Sequence, residues 1–205
     1  MEVYRMEVAP LGTNCYIAYD VDTKEGIVID PGGSPGVITA AIDRLGVKIL
    51  VIVNTHGHWD HIGANNEIKE KTGAPVYIHK DDESFLTDPA RNISSMLGGY
   101  YSVEPADGIL NEGDSVCFGK CSLKVIHTPG HTPGGICLYG EGVLFSGDTL
   151  FFRSVGRSDL PGGNPTQLTE SIRNKLFVLD EDAVVYTGHG IPPRLGDEKK
   201  GNPFV

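Results

Sequence analysis

Short runs of β-branched residues separated by turn residues dominate the start of the chain. Residues Glu2–Val8, 14–19 and 26–29 each have the composition of a strand, and the turn residues between them indicate antiparallel pairing. Ser34 is a predicted N-cap with Pro35 at the first helical position. The apolar residues that follow recur at helical spacing, so this segment is predicted to be a helix that ends at Gly46.

The next strand, Lys48–Val53, is an unbroken aliphatic run, which is typical of a strand buried on both faces. Turns and apolar periodicity divide the rest of the chain in the same way. Helices are predicted at residues 62–71, 81–86 and 166–177, and strands at residues 75–78, 114–118, 121–126, 136–139, 143–146 and 183–186. Residues 88–105 are predicted to be an irregular excursion and a candidate wall of a pocket. The tail after Gly190 is punctuated by proline and glycine.

This order of elements predicts an α/β (α+β) fold in which two mixed sheets pack face to face with helices outside, an αββα sandwich. The 205 residues are long enough for one domain with a large core, and no flexible linker interrupts them. We therefore expect a single domain over residues 1–205.

Composition and net charge exclude some classes of function and partner. Hydrophobic residues make up 40% and charged residues 21% of the chain, which is ordinary for a soluble enzyme. The formal net charge of -10 argues against a nucleic-acid partner, which requires clustered Lys and Arg. No apolar run reaches membrane-spanning length, so no membrane partner is expected. The four cysteines form no Cys-x-x-Cys pair and are interpreted as buried, reduced thiols of a cytoplasmic protein: Cys15, Cys117, Cys121 and Cys137.

The candidate chemistry begins directly after the buried strand Lys48–Val53, where His56, His58, Asp60 and His61 fall within six residues. Side chains at a strand end can converge while the sheet holds the backbone. Imidazole and carboxylate are the donors that zinc, manganese and ferrous iron accept. Any one histidine alone is better explained by a structural role, but four such groups together predict a metal site.

Three further candidates, His131, Asp148 and His189, follow strand-like segments in the same way, and a glycine precedes each of them. Glycine allows a sharp turn and a close backbone approach. His79 and His127 lie outside this pattern and are interpreted as structural, hydrogen-bonding histidines.

The order and spacing of these candidates resemble the ligand signature of the metallo-β-lactamase superfamily over nearly the whole chain. The matching set is the motif His-x-His-x-Asp-His at residues 56–61, followed by His131, Asp148 and His189. The resemblance implies two divalent metal ions, zinc first and iron or manganese as alternatives. It implies one ion held by His56, His58 and His131, a second held by Asp60, His61 and His189, and Asp148 between them. It also implies that Asp30 is a supporting carboxylate that orients the ligand loop, although capping of a turn explains Asp30 equally well.

Such a pair of ions, roughly 3.5–4 Å apart, shares a bridging hydroxide whose pKa falls towards about 7, which gives a nucleophile at neutral pH. Asp60 is then a candidate to orient the water or relay its proton. The positive centre also attracts an anionic substrate locally in an acidic protein.

Within the superfamily, residues 144–151 and 154–163 are similar to compact glyoxalase II-like proteins. This likeness implies hydrolysis of a thioester, an S-2-hydroxyacylglutathione such as S-lactoylglutathione or a related thiol ester. The helical C-terminal domain that supplies glutathione contacts in full-length glyoxalase II is not expected here. Substrate contacts are therefore assigned to Arg153, Arg157, Tyr100 and Tyr101, with salt bridging and packing as the alternative roles.

The strongest alternative is a persulfide dioxygenase of the same fold, because that family also resembles residues 156–159. It implies one ferrous iron held by His56, His131 and Asp148. Retention of the second ligand set favours the hydrolase. Another ester or lactone hydrolase, or a β-lactamase, is compatible with the same site. The sequence leaves the oligomeric state open.

Overall fold

The computed structural model describes residues 1–205, with residue 97 described by its backbone alone. The strands, in chain order, are β1 (Glu2–Val8), β2 (Thr13–Tyr19), β3 (Glu25–Ile29), β4 (Lys48–Val53), β5 (Val76–His79), β6 (Gly108–Leu110), β7 (Ser115–Phe118), β8 (Cys121–His127), β9 (Ile136–Gly140), β10 (Val143–Gly147), β11 (Leu150–Phe151), β12 (Ser154–Val155) and β13 (Val184–Thr187). The α-helices are α1 (Pro35–Leu45), α2 (Trp59–Ile62), α3 (Asn65–Thr72), α4 (Pro165–Ser171) and α5 (Leu195–Gly201). Two 3₁₀ turns (Lys80–Phe85 and Ser94–Leu97) and one π-helical turn (Ile172–Leu176) complete the elements.

The strands form two mixed sheets and one short hairpin. The first sheet has the order β1-β2-β3-β4-β5-β6, antiparallel at first and parallel from β3 onwards. The second has the order β13-β10-β9-β8-β7, in which only β10 and β13 run parallel. The hairpin pairs β11 with β12. Every strand of the first sheet therefore precedes every strand of the second along the chain.

Side-chain alternation along the strands builds the layers. On β3, Ile27 and Ile29 face the second sheet and pack in a cluster with Phe118 and Phe145, whereas Val28 faces α1 and α3. Helix α1 covers this outer face with Ile38, Ala41 and Ile42. The outer face of the second sheet is covered by α4, the π-helical turn and α5. The predicted αββα sandwich with two mixed sheets is confirmed.

Two predicted helices differ from the structure. The helix predicted at residues 62–71 is α3, which begins three residues later, and the separate one-turn helix α2 was not predicted. Between them the chain passes the β3–α1 loop, where the Ala64 amide donates to the Pro31 carbonyl at 2.8 Å. The helix predicted at residues 166–177 begins as α4 and widens into a π-helical turn, in which the Phe177 amide bonds to the Ile172 carbonyl at 2.9 Å.

The cysteine prediction is correct for three thiols and wrong for one. All four cysteines are free; Cys15, Cys121 and Cys137 are buried, and Cys117 is exposed. Strand β7 is an edge strand whose residues alternate between solvent and core, and Cys117 falls on the solvent side. Among the helices that the structure describes, none is long and apolar enough to cross a membrane.

Candidate metal centre

The ligand loop begins where β4 ends, at the edge where both sheets present the ends of their strands. Strand β4 is held between β3 and β5, so the backbone that carries His56 and His58 leaves the sheet at a fixed point. His58 is the residue before α2, and Asp60 and His61 lie inside this one-turn helix. The strand end and the short helix together bring all four side chains to one place, and each of them is buried.

The first triad consists of His56, His58 and His131, whose ligand atoms all lie within 4.8 Å of one another. Nδ1 of His58 lies 2.9 Å from Nε2 of His131. The other ring nitrogen of His131, Nδ1, lies 2.6 Å from the carbonyl oxygen of Arg157. Because a carbonyl only accepts, Nδ1 of His131 carries the proton and its Nε2 presents a lone pair to the triad.

The second triad consists of Asp60, His61 and His189. Oδ2 of Asp60 lies 3.6 Å from Nε2 of His61 and 3.3 Å from Nε2 of His189, and the two imidazole nitrogens are 3.4 Å apart. Thr13 donates its hydroxyl to the same Asp60 oxygen at 2.9 Å. Sequence reasoning missed Thr13, since a threonine at the start of a strand carries no signal of its own.

Asp148 lies between the triads and approaches both. Its Oδ1 is 3.4 Å from Nε2 of His61, and its Oδ2 is 3.6 Å from Nε2 of His131 and 3.7 Å from Nε2 of His189. A Cβ at Gly188 would lie 2.0 Å from Asp148 Oδ1, so only glycine allows the chain directly after β13 to pass this close. One carboxylate can therefore contact ions held by both triads.

Asp30 supports the ligand loop from behind. Its Oδ1 accepts from the Thr55 amide and its Oδ2 from the Thr55 hydroxyl, both at 2.7 Å. The same Oδ2 lies 3.0 Å from Nδ1 of His61. This contact places the His61 proton on Nδ1 and leaves Nε2 to face the second triad, the arrangement that supports metal-bound histidines in general.

The charge states of His56, His58 and Asp148 suit cation binding. Burial lowers the pKa of His56 well below its usual range and that of His58 to about 3, so both rings are neutral donors. Burial on its own raises the pKa of Asp148, but the neighbouring His61 outweighs it, and the pKa lies well below its usual range. Neutral imidazoles and ionised carboxylates are the forms that ligate metals. Burial alone lowers the pKa of His61, but Asp148, Asp60 and Asp30 outweigh it and hold the pKa well above its usual range, so a metal ion would replace a proton on that ring.

Several polar atoms at the centre lack a partner. Among the described residues, Nε2 of His56, Nε2 of His58 and Oδ1 of Asp148 are buried without a hydrogen bond. Buried polar atoms are costly unless they are paired. Buried nitrogen and oxygen atoms without hydrogen bonds are available to bind metal. Together with the two triads joined by a carboxylate, they fit a binuclear metal site.

A cavity of about 480 Å³ opens onto the centre. Its floor is formed by His58, Asp60, His131, Asp148 and His189. Its walls are mainly apolar and come from four separate segments of the chain: Leu11, Trp59, Ile93, Met96, Phe151, Ser154, Val155, Arg157 and Leu160. The excursion at residues 88–105 supplies Ile93 and Met96, as the sequence indicated, and Arg157 was also predicted. Sequence reasoning missed Leu11 and the apolar residues of the β11–β12 region, because isolated apolar side chains in loops look no different from ordinary surface residues.

The four residues predicted to contact the substrate lie in different places. Arg157 lines the cavity, and its guanidinium makes a two-pronged contact with Asp159, with both N–O distances at 2.9 Å. Arg153 instead donates from its guanidinium to the carbonyl of Gly201, because the β11–β12 turn packs on α5. Tyr101 stacks on Trp59 with ring centroids 5.0 Å apart, outside the cavity lining, and Tyr100 is 83% exposed. The structure thus brings one of the four residues to the site.

The two histidines predicted to be structural lie together away from the centre. The rings of His79 and His127 stack with centroids 4.0 Å apart. Nδ1 of His79 accepts from the Asp81 amide at 3.3 Å, and Nε2 of His127 lies 2.8 Å from the Pro133 carbonyl. Both histidines therefore make the hydrogen bonds that were expected of them.

Sequence comparisons agree with this geometry. The profile described as metallo-beta-lactamase superfamily matches residues 8–189. The probable metallo-hydrolase YqgX of Bacillus subtilis (strain 168) is 38% identical over 208 residues, covering 100% of this chain and 98% of the relative. Hydroxyacylglutathione hydrolase GloC of Haemophilus influenzae is 32% identical over 209 residues, with 100% and 98% covered.

Three solved structures are also similar to this chain over nearly its whole length. The BLEG-1 B3 metallo-β-lactamase superposes with a TM-score of 0.94 at 40% identity, covering 99% of both chains. TTHA1623 in a di-iron-bound form gives a TM-score of 0.88 at 35% identity, covering 98% of this chain and 100% of that one. ETHE1 from Myxococcus xanthus gives 0.82 at 27% identity, covering 99% and 84%. The chain therefore belongs to the metallo-β-lactamase superfamily, and its centre is that of a metallo-hydrolase.

Proposed function

We propose that this protein hydrolyses a thioester, an S-2-hydroxyacylglutathione such as S-lactoylglutathione or a related thiol ester. The observation that carries the proposal is the completeness of both triads around Asp148 at the floor of one cavity. The name of the Haemophilus influenzae relative supports the same chemistry, since that protein is a hydroxyacylglutathione hydrolase.

The seven ligands in this proposal are His56, His58, Asp60, His61, His131, Asp148 and His189, with Asp30 as the carboxylate that supports them. Two divalent ions, when bound, polarise the carbonyl and lower the pKa of water towards about 7. We propose zinc as the native metal. Iron and manganese accept the same donors, and the di-iron form of TTHA1623 shows that a similar protein holds iron.

The chain's own residues orient the reactants. Asp60 lines the cavity with its Oδ2 fixed by Thr13, so its carboxylate can orient the attacking water and take up a proton from it. The apolar walls remove bulk water from around the thioester, which strengthens every electrostatic interaction at the floor. Arg157 is placed to meet an anionic group on the substrate.

The alternative is the persulfide dioxygenase, which needs one ferrous iron on His56, His131 and Asp148. The likeness to ETHE1 from Myxococcus xanthus fits this alternative. The second triad favours hydrolysis, because a single iron leaves Asp60, His61 and His189 without a role. A β-lactamase activity is a further candidate, favoured by the 40% identity to the BLEG-1 B3 metallo-β-lactamase.

For the setting, we propose a cytoplasmic enzyme whose partner is a small-molecule thioester rather than a nucleic acid or a membrane. The four free thiols support a reducing compartment, and the net charge of -10 is unfavourable for nucleic acid.

The test measures metal content per chain on anaerobically purified protein and, on the same sample, hydrolysis of S-lactoylglutathione. Two metals per chain with thioester turnover support the proposal. One iron per chain, no hydrolysis and oxygen uptake with glutathione persulfide would establish the dioxygenase instead. Turnover of a β-lactam without turnover of the thioester would establish the β-lactamase.

A further inference from the structure

One buried carboxylate outside the seven ligands contacts two of the ligand loops. Asp82 lies in the 3₁₀ turn Lys80–Phe85 that follows β5, and its side chain is completely buried. A carboxylate removed from water is costly unless hydrogen bonds compensate for the lost hydration, so each of its contacts is informative.

Both oxygens of Asp82 accept from backbone amides. Oδ2 accepts from the Gly57 amide at 3.0 Å, and Oδ1 accepts from the Gly134 amide at 2.6 Å. Gly57 lies between the ligands His56 and His58. Gly134 lies in the loop between β8 and β9 that carries His131, so Asp82 joins the two loops that together make the first triad.

The contact is tight on the β8–β9 side. A Cβ at Gly134 would lie 2.5 Å from the amide nitrogen of Asp82 and 2.7 Å from its Oδ1. Only a glycine lets this loop close on the turn. The Asp82 carboxylate therefore holds the two loops together next to the ligands, and the Ile136 amide, which donates to the Thr55 carbonyl at 2.8 Å, joins them at the sheet.

Asp82 complements Asp30 on the other side of the ligand loop. Asp30 accepts the amide of Thr55, which precedes His56, and Asp82 accepts the amide of Gly57, which follows it. Only Asp30, however, touches the ring of a ligand in the second triad, at His61. Asp30 also reaches the first triad through the Thr55 hydroxyl, which lies 3.2 Å from Nδ1 of His56. Asp82, in contrast, contacts only the two loops that make the first triad.

We propose that Asp82 is a positioning residue that fixes the geometry of the first triad and leaves the second triad unaffected. This inference rests on the proposed two-metal site. It assigns the 3₁₀ turn after β5 a role in metal affinity that the ligand signature does not include.

The test measures zinc affinity in two backgrounds, each with one triad disabled. With His189→Ala the first triad remains, and with His58→Ala the second remains. Asp82→Asn keeps the shape of the side chain but turns an amino group towards one of the two amides. We expect it to weaken zinc binding by about 10- to 100-fold in the His189→Ala background and to leave the His58→Ala background unchanged. Equal weakening in both, or none in either, would overturn the inference.

Asp20 provides a matched control. It is also a buried carboxylate that accepts two backbone amides from different segments, those of Asp22 at 2.9 Å and Lys120 at 2.7 Å, but at turns that carry no metal ligand. Asp20→Asn should lower Tm without changing zinc affinity in either background. A purely structural role for Asp82 predicts the same behaviour from Asp82→Asn.

A second measurement uses the unmutated protein, in case Asp82→Asn does not fold. In metal-free wild-type protein the amides of Gly57 and Gly134 should be protected from hydrogen exchange, because Asp82 holds both before any metal binds. Exchange of either amide at the rate of an open loop would overturn the inference. Neither experiment uses a substrate, so a failure of the proposed thioester hydrolysis is seen separately, in the turnover assay.

Discussion

Nδ1 of His61 lies 3.0 Å from Oδ2 of Asp30, and the two side chains are buried at 0% and 2% exposure. Among the hydrogen bonds of the described residues, no other ligand histidine has its ring held by a carboxylate that is not itself one of the seven ligands. The orientation of His61, and with it the second triad, therefore depends on Asp30.

Replacing Asp30 should weaken the second metal. Asp30→Asn keeps the size of the side chain but replaces one of the two acceptor oxygens with an amino group, which only donates. The variant therefore cannot accept from the Thr55 amide, the Thr55 hydroxyl and His61 as Asp30 does. We expect zinc affinity to fall by about 10- to 100-fold in the His58→Ala background, where only the second triad is complete. An unchanged affinity in a folded variant would show that Asp30 serves only the turn.

Replacing Asp148 should affect both metals at once, because its two oxygens face different triads. In Asp148→Ala, metal content per chain should fall, and kcat/KM should drop by at least the roughly 100-fold that loss of a supporting partner costs. Asp20→Asn is the control for general destabilisation. Two metals per chain with full activity would show that Asp148 does not bridge them.

The ion pair at the cavity wall predicts a charge-dependent change in KM. Arg157 is partly neutralised by Asp159, and both side chains are exposed. For an anionic thioester, Arg157→Gln should raise KM and Asp159→Asn should lower it, each by about two- to fivefold, as for exposed pairs in general. A neutral thioester with the same acyl group should show neither change. An equal response to both substrates would remove Arg157 as an anchor.

The stacked histidines predict how stability depends on pH. Burial, followed by the neighbouring His127, lowers the pKa of His79 from its ordinary value of 6.5 to about 4. As pH falls below 6.5 the unfolded chain takes up this proton before the folded one does, so stability is lost between about pH 6.5 and pH 4. The loss attributable to His79 is about 3 kcal/mol at most.

The measurement is urea unfolding of metal-free protein at several pH values, for wild type and His79→Asn. Asparagine retains an acceptor for the Asp81 amide but does not titrate. Oδ2 of Asp81 lies 3.7 Å from Nδ1 of His79, and Glu112 accepts from the His127 amide at 2.9 Å; both carboxylates are unchanged in the variant. The stability advantage of wild type over His79→Asn should shrink towards pH 4. Parallel curves for the two proteins would contradict the shifted pKa.

The long elements could be predicted from the sequence because their side chains repeat regularly. Strands β1 and β4 have the predicted bounds, and α1 starts at Pro35 and ends before Gly46 as expected. The sites at the ends of these elements were predictable for the same reason, since a motif directly after a buried strand has a fixed position.

Short elements could not be predicted, because two or three residues show no periodicity. Strands β6, β11 and β12 are of this kind. Helix α5 was missed for a different reason: it holds few apolar residues, and its buried Glu198 accepts from the Arg153 amide at 2.9 Å, a long-range contact. Likewise Asp82 stands in a polar run in the sequence, and its partners, Gly57 and Gly134, are far from it along the chain.

The order of the strands has a consequence for how the protein assembles. The first sheet is built wholly from the chain before β7 and the second wholly from β7 onwards, yet each triad draws its members from both sides of this division. A cut between β6 and β7 would give two fragments, one with His56, His58, Asp60 and His61 and the other with the remaining three ligands. Neither fragment could complete a triad alone. Binding of a metal ion and association of the two fragments would therefore be thermodynamically linked, and the bound ion would hold the fragments together.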